Sequence, residues 1–344
     1  MKIESNPLSL LKKNWIIFIF IAICLLIPIA VKTDYVIRIM IEVFFFGALG
    51  TAWNIIGGFG RQTSWASSSF FAVGAYTGML MFLRLGGVLP WFSVFVGMAI
   101  SVVMAIIIGL PCFRMRGVYF AIATIASASI VRQLLLYFKE FTGGSLGLAF
   151  RVRTGNNLLT LSFESERAYY YVAFIWMLIT VFVTVLVNRF KLGYYLKAIR
   201  EEEDAAESLG IRASRVKLTA FIISAMLLSA TGTLYAFKVG YIDPTLVASH
   251  DMSIRIGITA ILGGMGTIWG PVMGAFLAVP MLEISNYYLS NLGKGGAGYA
   301  LYGLLIVLVV LFRPNGIISF FTDWRDHRAS RKKELTQNAG KEKA

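Results

Sequence analysis

Long apolar runs separated by short polar segments make up most of the chain. Runs such as 15–31 and 299–312 are continuously hydrophobic, and a helix that crosses a bilayer needs roughly 17–25 mostly apolar residues. The bilayer interior offers no water to unpaired backbone groups, so spanning segments are expected to be helices. A membrane β-barrel would instead need alternating strands of about ten residues, and these runs do not alternate. The pattern therefore predicts an all-α integral membrane protein.

The runs predict about ten transmembrane helices, some of them short or broken. Their approximate bounds are 15–31, 35–56, 64–83, 91–110, 117–138, 168–188, 217–237, 251–265, 271–290 and 299–313. Together they form a membrane domain over residues 15–318, between a short segment at 1–14 and a basic tail at 319–344. The first run exceeds the ~7–15 apolar residues of a signal peptide, so we expect it to be retained as a helix.

Positive charge is distributed unevenly between the two sides of the membrane. The sequence has 32 Lys and Arg against 18 Asp and Glu, a balance that also suits nucleic-acid binding. Most of these cations, however, lie between apolar runs, where they determine topology. With the N-terminus inside, 21 of them fall on the inner side and 8 on the outer side. This bias predicts that both termini are cytoplasmic, and no nucleic-acid partner is expected.

The chain lacks the motifs of the common catalytic and ATP-binding sites. It contains no Gly-x4-Gly-Lys-[Ser/Thr] phosphate loop. Its one Gly-x-Ser-x-Gly match, at 143–147, lies in a connection between two predicted spans and lacks the strand-to-helix context of a nucleophile elbow. Its two histidines, His250 and His327, and its two cysteines, Cys24 and Cys112, show no metal-ligand spacing. We therefore expect no metal, no cofactor and no catalytic residue. A translocation subunit that takes its energy from another polypeptide fits these features.

The charged segment 197–210 separates two of the predicted spans. It is built from good helix formers, and Gly210 stands where a helix C-terminal cap is expected. Its small apolar face consists of Ala198, Ile199, Ala205, Ala206 and Leu209, and the four acidic residues at 201–204 face elsewhere. We expect a short cytoplasmic coupling helix that inserts into a groove on a soluble partner. The alternative is an ordinary charged loop between spans.

Within this segment, Asp204-Ala205-Ala206, three residues and then Gly210 resemble the EAA-x3-G coupling motif of ABC-importer permeases, with Asp in place of Glu. Further stretches are similar to the LivM-type permeases of branched-chain amino-acid ABC importers. They are 116–124, 142–144, 197–211, 215–218, 262–275, 302–305 and 311–316. These ordered motifs cover roughly residues 45–318 of the chain.

The resemblance implies a permease subunit of an ABC importer in a bacterial-type inner membrane, surrounded by lipid. The implied partners are two ATPase subunits, a second related permease and an extracytoplasmic solute-binding protein. The implied solute is a branched-chain amino acid or a related small polar solute, and urea, amides and other amino acids remain open. Whether the two permeases are identical also remains open. An ion-coupled secondary transporter is the alternative class, and it would need coupling-ion ligands near the midplane.

Candidate pathway residues are polar or glycine-rich positions at the ends of predicted spans. They are Gln62, Thr63, Ser64, Ser67, Thr142, Gly143, Gly144, Gly263 and Gly264. In the resembled family the first group runs Gln-x-Ser-Leu-Gly-His, so Trp65, Ala66 and Ser67 are departures here, as is Leu146 in place of a polar residue. Amides at the start of the helix near 61–69 are candidates for binding a carboxylate. Plain helix packing is the alternative for all these positions.

Glycines and intramembrane charges supply further candidates. Gly266, Gly270 and Gly274 recur every four residues, which predicts one helix face for close packing. Arg38 and Glu42 are four apart and are candidates for an ion pair. The charges in the outward halves of other spans either steer a zwitterionic solute or hold helices in register. They are Arg132, Arg255 and Glu283. The outer connection, 139–167, is a candidate for a short surface helix.

Overall fold

The computed structural model describes residues 15–31, 33–85, 88–150 and 157–291, with the separate positions 300, 303–304, 306–308, 311 and 316–317. Most of the last predicted span and both terminal segments lie outside the described residues. The helices are α1 Trp15–Ala30, α2 Asp34–Asn54, α3 Ser67–Arg84, α4 Pro90–Cys112, α5 Val118–Tyr137, α6 Lys139–Thr142, α7 Glu166–Arg189, α8 Lys191–Glu201, α9 Glu203–Ser208, α10 Ala213–Val239, α11 Pro244–Val247, α12 His250–Gly263 and α13 Gly270–Asn291. A π-helical turn, Ile55–Phe59, continues α2.

Five helical segments in the described part of the chain are long and apolar enough to cross a membrane. They are Asp34–Phe59, Pro90–Cys112, Val118–Tyr137, Glu166–Arg189 and Ala213–Val239. The prediction of an all-α membrane protein is therefore confirmed. The number of spans and the side of each terminus stay predictions.

The helices α2 and α10 form the centre of the molecule. Every residue from Val43 to Gly60 is buried, because α2 packs against α7, α10, α12 and α13. Helix α10 packs against α3 and α4 on its other side. A Cβ on Gly74 would lie 1.8 Å from the carbonyl oxygen of Ser229, and one on Gly232 would lie 2.0 Å from that of Phe71. The backbones of α3 and α10 therefore touch at these glycines, as small residues permit in membrane helices.

The inner connection contains two helices where the sequence predicted one. Helix α8 begins at Lys191, six residues before the predicted start, and ends at Glu201. Glu202 then adopts an extended backbone, with φ −156° and ψ 116°, and α9 covers only Glu203–Ser208. The expected single rigid helix over 197–210 is therefore wrong. The chain bends in the middle of its acidic run, and the two residues after the bend, Glu203 and Asp204, form ion pairs with Lys217 and Arg116.

The outer connection folds back onto the rest of the protein. It contains α6, a 3-10 turn at Gly144–Leu146 and the strand β1, Leu148–Ala149. Strand β1 pairs antiparallel with β2, Tyr241–Ile242, with Leu148 opposite Ile242. This two-stranded ribbon joins the end of α10 to the connection before α7.

Candidate functional site

The coupling motif lies on α9, and an arginine from a neighbouring loop holds this helix. Arg116 Nη1 lies 2.8 Å from Asp204 Oδ1, and Arg116 Nη2 lies 3.8 Å from Glu207 Oε2. The hydrogen bond that Arg116 donates to the Asp204 carboxylate raises the pKa of the guanidinium above its usual value. Both side chains are largely exposed, so this pair orients α9 more than it stabilises the fold.

A buried lysine anchors α9 from the opposite direction. Lys217 Nζ lies 2.7 Å from Glu203 Oε1, and the Lys217 side chain is only 2% exposed. Lys217 lies in the first turns of α10, one of the two central helices. A buried ammonium needs a close counter-ion, so this ion pair ties the start of α9 to the core.

The small apolar residues of the motif divide between two surfaces. Ala206 is buried and packs with Ile199 and Ala213 in a small cluster inside the protein. Ala205 and Gly210 are exposed, and Leu209 beside them is 83% exposed. The motif therefore has an inward side that packs against the permease itself and an outward side of small or apolar residues.

Gly210 is required by its backbone conformation and not by crowding. Its φ is +83°, in the left-handed region that residues with a Cβ rarely adopt. A Cβ built on this residue meets no atom within 4 Å. The surface above Gly210 is therefore open, which suits a position that another protein covers.

Helix α8 also contacts the π-helical turn that follows α2. Arg200 Nη1 donates to the Gly58 carbonyl oxygen at 3.4 Å. Next to it, Asn54 Nδ2 donates to the Thr267 carbonyl oxygen at 2.7 Å, and Asn54 Oδ1 accepts from the Gly266 amide at 2.8 Å. The side-chain amide of Asn54 thus holds the loop before α13 against the end of α2. Helix α8 contacts the same turn through Arg200.

The segment 61–66 before α3 has no regular secondary structure, and the helix begins at Ser67 and not at the predicted residue 64. Trp53 Nε1 donates to the Ser64 carbonyl oxygen at 2.7 Å, which holds this segment against α2. Ser64 and Ser67 are both buried, whereas Gln62 and Thr63 are partly exposed. Of the three candidate pathway residues in this segment and Ser67 at the start of α3, only Gln62 and Thr63 are therefore accessible to a solute.

The amides near the start of α3 already have acceptors within the protein. The Trp65 amide donates to Thr124 Oγ1 at 3.1 Å, and the Ser68 amide donates to Ser253 Oγ at 3.0 Å. The Ser69 amide donates to the Ala66 carbonyl oxygen at 3.1 Å. The prediction that this helix start offers free amides to a carboxylate is wrong for these three groups.

The candidates at 142–144 form a tight turn at the far end of α3. Thr142 Oγ1 donates to the Leu135 carbonyl oxygen at 2.6 Å, and Gly143 and Gly144 adopt φ of +74° and +56°. Arg84, the last residue of α3, donates to the Glu140 carbonyl oxygen. Since an 18-residue helix is about 27 Å long, this turn and the start of α3 do not form one site.

The glycines around 263–274 hold α12 and α13 together. A Cβ on Gly263 would lie 1.7 Å from the Gly270 carbonyl oxygen, and one on Gly274 would lie 1.9 Å from that of Thr259. Gly266 lies in the loop before α13 with φ +76°, so the prediction that it shares a helix face with Gly270 and Gly274 is wrong. Gly264 ends α12 with φ 123°.

Intramembrane charges pair across helices and not along them. Arg38 Nε lies 3.0 Å from Glu166 Oε1, and Glu42 Oε1 lies 3.2 Å from Lys238 Nζ. The predicted pair between Arg38 and Glu42 is therefore wrong, because α7 and α10 bring closer partners.

Two further charges identified in the sequence differ in their surroundings. The Arg255 guanidinium lies over the Phe46 ring, 4.5 Å from its centroid. The buried Nε of Arg132, by contrast, has no hydrogen-bond partner in the described part of the chain.

Sequence reasoning missed three positions that organise this site. Arg116 and Lys217 were counted as inner-side charges and lie in the resembling stretches 116–124 and 215–218, but neither was identified as an ion-pair partner of α9. Asn54 lies inside an apolar run, and an intramembrane polar residue is itself a signal of structural or functional importance. The partners of all three lie far away in the sequence, so only Asn54 was identifiable in advance.

Within the described residues, no three His, Cys, Asp or Glu side chains are close enough to hold a metal ion. Spanning helices, with a short anchored helix exposed in the connection between two of them, define a multi-pass membrane protein. The profile of the family described as "Branched-chain amino acid transport system / permease component" matches residues 35–310. The chain belongs to this family and is a multi-pass protein of the inner membrane.

Individual relatives agree with this assignment. The chain is 32% identical over 295 residues to the high-affinity branched-chain amino acid transport system permease protein LivM of Salmonella typhimurium, covering 78% of this chain and 67% of the relative. The LivM protein of Escherichia coli K12 matches to the same extent. A probable branched-chain amino acid transport permease protein LivH of Methanocaldococcus jannaschii is 24% identical over 273 residues, covering 76% and 84% of the two chains. No solved structure matches the chain.

Proposed function

We propose that this chain is a permease subunit of an ABC importer for branched-chain amino acids. ATP hydrolysis takes place in two partner ATPase subunits, and a second related permease completes the membrane pathway. An extracytoplasmic binding protein delivers the solute. The names of the LivM and LivH relatives support the solute class, and the charge bias of the loops supports cytoplasmic termini.

The observation that carries the proposal is the two-sided build of α9. Its inner side is fixed to the permease through Lys217 and the buried Ala206. Its outer side presents Ala205, Leu209 and Gly210 without partners among the described residues. A small apolar surface on a short helix suits a groove in another protein, so we assign Asp204, Ala205, Ala206 and Gly210 to ATPase coupling.

Movement of the ATPase subunits would reach the membrane helices through the contacts of α8 and α9. Arg200 connects α8 to the turn after α2, and Glu203 connects α9 to α10. Helices α2 and α10, to which these contacts are made, are the central helices of the bundle. The segment formed by α8 and α9 is thus attached to the helices that must rearrange when the pathway opens to the other side of the membrane.

The test is reconstitution of the full chain with its candidate ATPases, second permease and binding protein in vesicles. We expect leucine uptake that requires ATP. Ala205→Arg should abolish both uptake and co-purification of the ATPases, because a long charged side chain fills the outward surface. Ala205→Ser keeps that surface small and is the control. ATP-independent uptake, or full uptake by Ala205→Arg, would refute the proposal.

Gly210 allows a second test that separates backbone strain from docking. Gly210→Val places a β-branched residue at φ +83° and should disrupt the turn. Gly210→Asn tolerates that conformation, and its Cβ meets no atom within 4 Å among the described residues. Reduced ATPase binding in Gly210→Asn, with an unchanged unfolding midpoint, would therefore report contact with the partner.

The orientation is tested separately with reporter fusions at the C-terminus. A reporter that is active only in the cytoplasm should be active there, and activity of a periplasmic reporter at the same position would contradict the proposed topology.

A further inference from the structure

A cavity of about 400 Å³ lies between the segment before α3, the middle of α5 and the first turns of α12. Its size is within the ~300–1,000 Å³ range of small-molecule sites. Its lining is mostly apolar, with one imidazole and one hydroxyl. The lining residues are Trp65, Ile125, His250, Ser253, Ile254 and Ile258.

The walls of the cavity are fixed by hydrogen bonds and by ring packing. The Trp65 amide is held by Thr124 of α5, and its ring lies 6.5 Å from that of Trp53, centroid to centroid. Ser253 Oγ donates to Ser68 Oγ at 2.8 Å, which joins α12 to the start of α3. The cavity is therefore preformed, as expected for a binding site.

The cavity lies near the middle of the membrane. His250 Nε2 is 3.1 Å from Ser129 Oγ, and Ser129 lies near the middle of the spanning helix α5. Helix α12 begins at His250, so it starts at this depth and not at the membrane surface. Irregular backbone at membrane depth is tolerated where it lines a cavity, and broken helices of this kind form solute sites in transporters.

A positively charged side chain, Arg132, lies beyond the cavity on the face of α5 that carries Ile125. Arg132 is seven residues after Ile125, so the two side chains leave the helix in nearly the same direction. Its buried Nε has no hydrogen-bond partner in the described part of the chain, whereas Glu42 and Lys238 satisfy each other. An intramembrane guanidinium is costly unless it binds an anion. Arg132 is not itself a lining residue, but side chains on a helix tilt towards its N-terminus, so this one projects towards Ser129 at the cavity wall.

We propose that this cavity is the mid-membrane binding site for the transported amino acid. The aliphatic side chain lies against Trp65, Ile254 and Ile258, and the carboxylate binds Arg132. The hydroxyl of Ser129 and the imidazole of His250 accept hydrogen bonds from the ammonium group. The identity of the solute rests on the proposed function, but the location of the site rests on the cavity and on Arg132.

The first test asks whether the cavity holds water or lipid. Both natural cysteines are buried, and Cys24→Ala with Cys112→Ala gives a background for Ile254→Cys. A charged methanethiosulfonate reagent should modify this cysteine in the assembled transporter, and leucine in the presence of the binding protein and ATP should slow the reaction.

The matched control for the labelling test is Ile107→Cys. Ile107 is 66% exposed on α4, away from the cavity, and a lipid-facing thiol at this position should not react. If Ile254→Cys is as unreactive as this control, the cavity is a lipid-filled crevice and the proposal is overturned. A reaction rate that leucine does not change would overturn it as well.

The second test removes the charge. Arg132→Met should lower leucine uptake by about tenfold or more, as expected from the loss of a hydrogen bond to a charged group. Arg132→Lys should recover part of it, with unchanged ATPase binding and unfolding midpoint in both variants. Arg38→Met is the control, because Arg38 pairs with Glu166. Normal uptake by Arg132→Met, or a loss that only follows the amount of folded protein, would overturn the assignment.

The two proposals fail in different ways. If the unmodified transporter does not move leucine with ATP, the proposed function is wrong, whereas the reagent reaction still reports whether the cavity is open to water. If leucine uptake is normal and Ile254→Cys does not react, the function stands and this site is wrong.

Discussion

The ion pair between Glu203 and Lys217 is expected to stabilise the fold through burial and not through surface charge. Removing one partner of a buried pair costs about 3–5 kcal/mol, because the other charge stays buried without a partner. Lys217 meets this condition at 2% exposure, but Glu203 is 21% exposed. Since water reaches the Glu203 side, we expect Glu203→Ala to lower the free energy of unfolding by a smaller amount, about 2–3 kcal/mol.

A double variant distinguishes the loss of the attraction between Glu203 and Lys217 from the cost of leaving one buried charge without a partner. Lys217→Met with Glu203→Leu removes both charges and keeps the volume, so we expect it to cost less than about 1 kcal/mol. Reversible unfolding of the purified chain in mixed micelles, with all four members of the double-mutant cycle, gives these values.

Arg116→Gln is the matched control in the unfolding experiment, because it breaks an exposed pair with Asp204 and should leave the unfolding midpoint almost unchanged. If the double variant is as unstable as the sum of the two single variants, burial of an unpaired lysine is not the source of the effect, and the reasoning is refuted.

Three further outcomes follow from contacts described above. Gly74→Ala should destabilise the chain by about 1–3 kcal/mol, because the new methyl would overlap the Ser229 carbonyl oxygen 1.8 Å away; an unchanged midpoint of thermal unfolding in detergent would contradict the close contact of α3 and α10. Asn54→Leu should lower the free energy of unfolding by about 2–4 kcal/mol, since it leaves one backbone amide and one carbonyl of the loop before α13 unpaired. Proteolysis of that loop should become faster, and a rate equal to that of the unmodified chain would contradict the prediction. Arg38→Gln should change stability by less than about 1 kcal/mol, because the Arg38 side chain is 63% exposed in its pair with Glu166 and the uncharged amide can still donate to the carboxylate. A larger loss in the same unfolding assay would show that the partly buried Glu166 depends on the charge of Arg38.

The spanning helices were predictable because their length is set by the bilayer and their apolar residues are contiguous. The run predicted at 168–188 forms a helix at Glu166–Arg189, and the run at 91–110 forms one at Pro90–Cys112. The remaining differences at these ends are a few residues. Caps such as Ser165, whose side chain accepts from the Arg167 amide, decide them locally.

The late start of α3 and the bend between α8 and α9 were not predictable, because distant residues stabilise them. The irregular segment before α3 is held by Trp53 and Thr124, which lie on two other helices. The local rule that pairs charges four apart failed for Arg38 and Glu42 for the same reason. The inward and outward sides of the coupling motif were not predictable either. Nothing in the spacing of the motif indicates that Ala206 faces inward while Leu209 faces outward.

The segment formed by α8 and α9 is attached to the membrane helices at three separate places. Arg200 contacts the turn after α2, Glu203 holds the start of α10, and Asp204 binds the loop before α5 through Arg116. A force applied to its outer surface is therefore shared among three helices that are far apart in the sequence. A genetic search for variants that bind the ATPase but no longer transport should consequently recover combinations of substitutions, each from a different attachment.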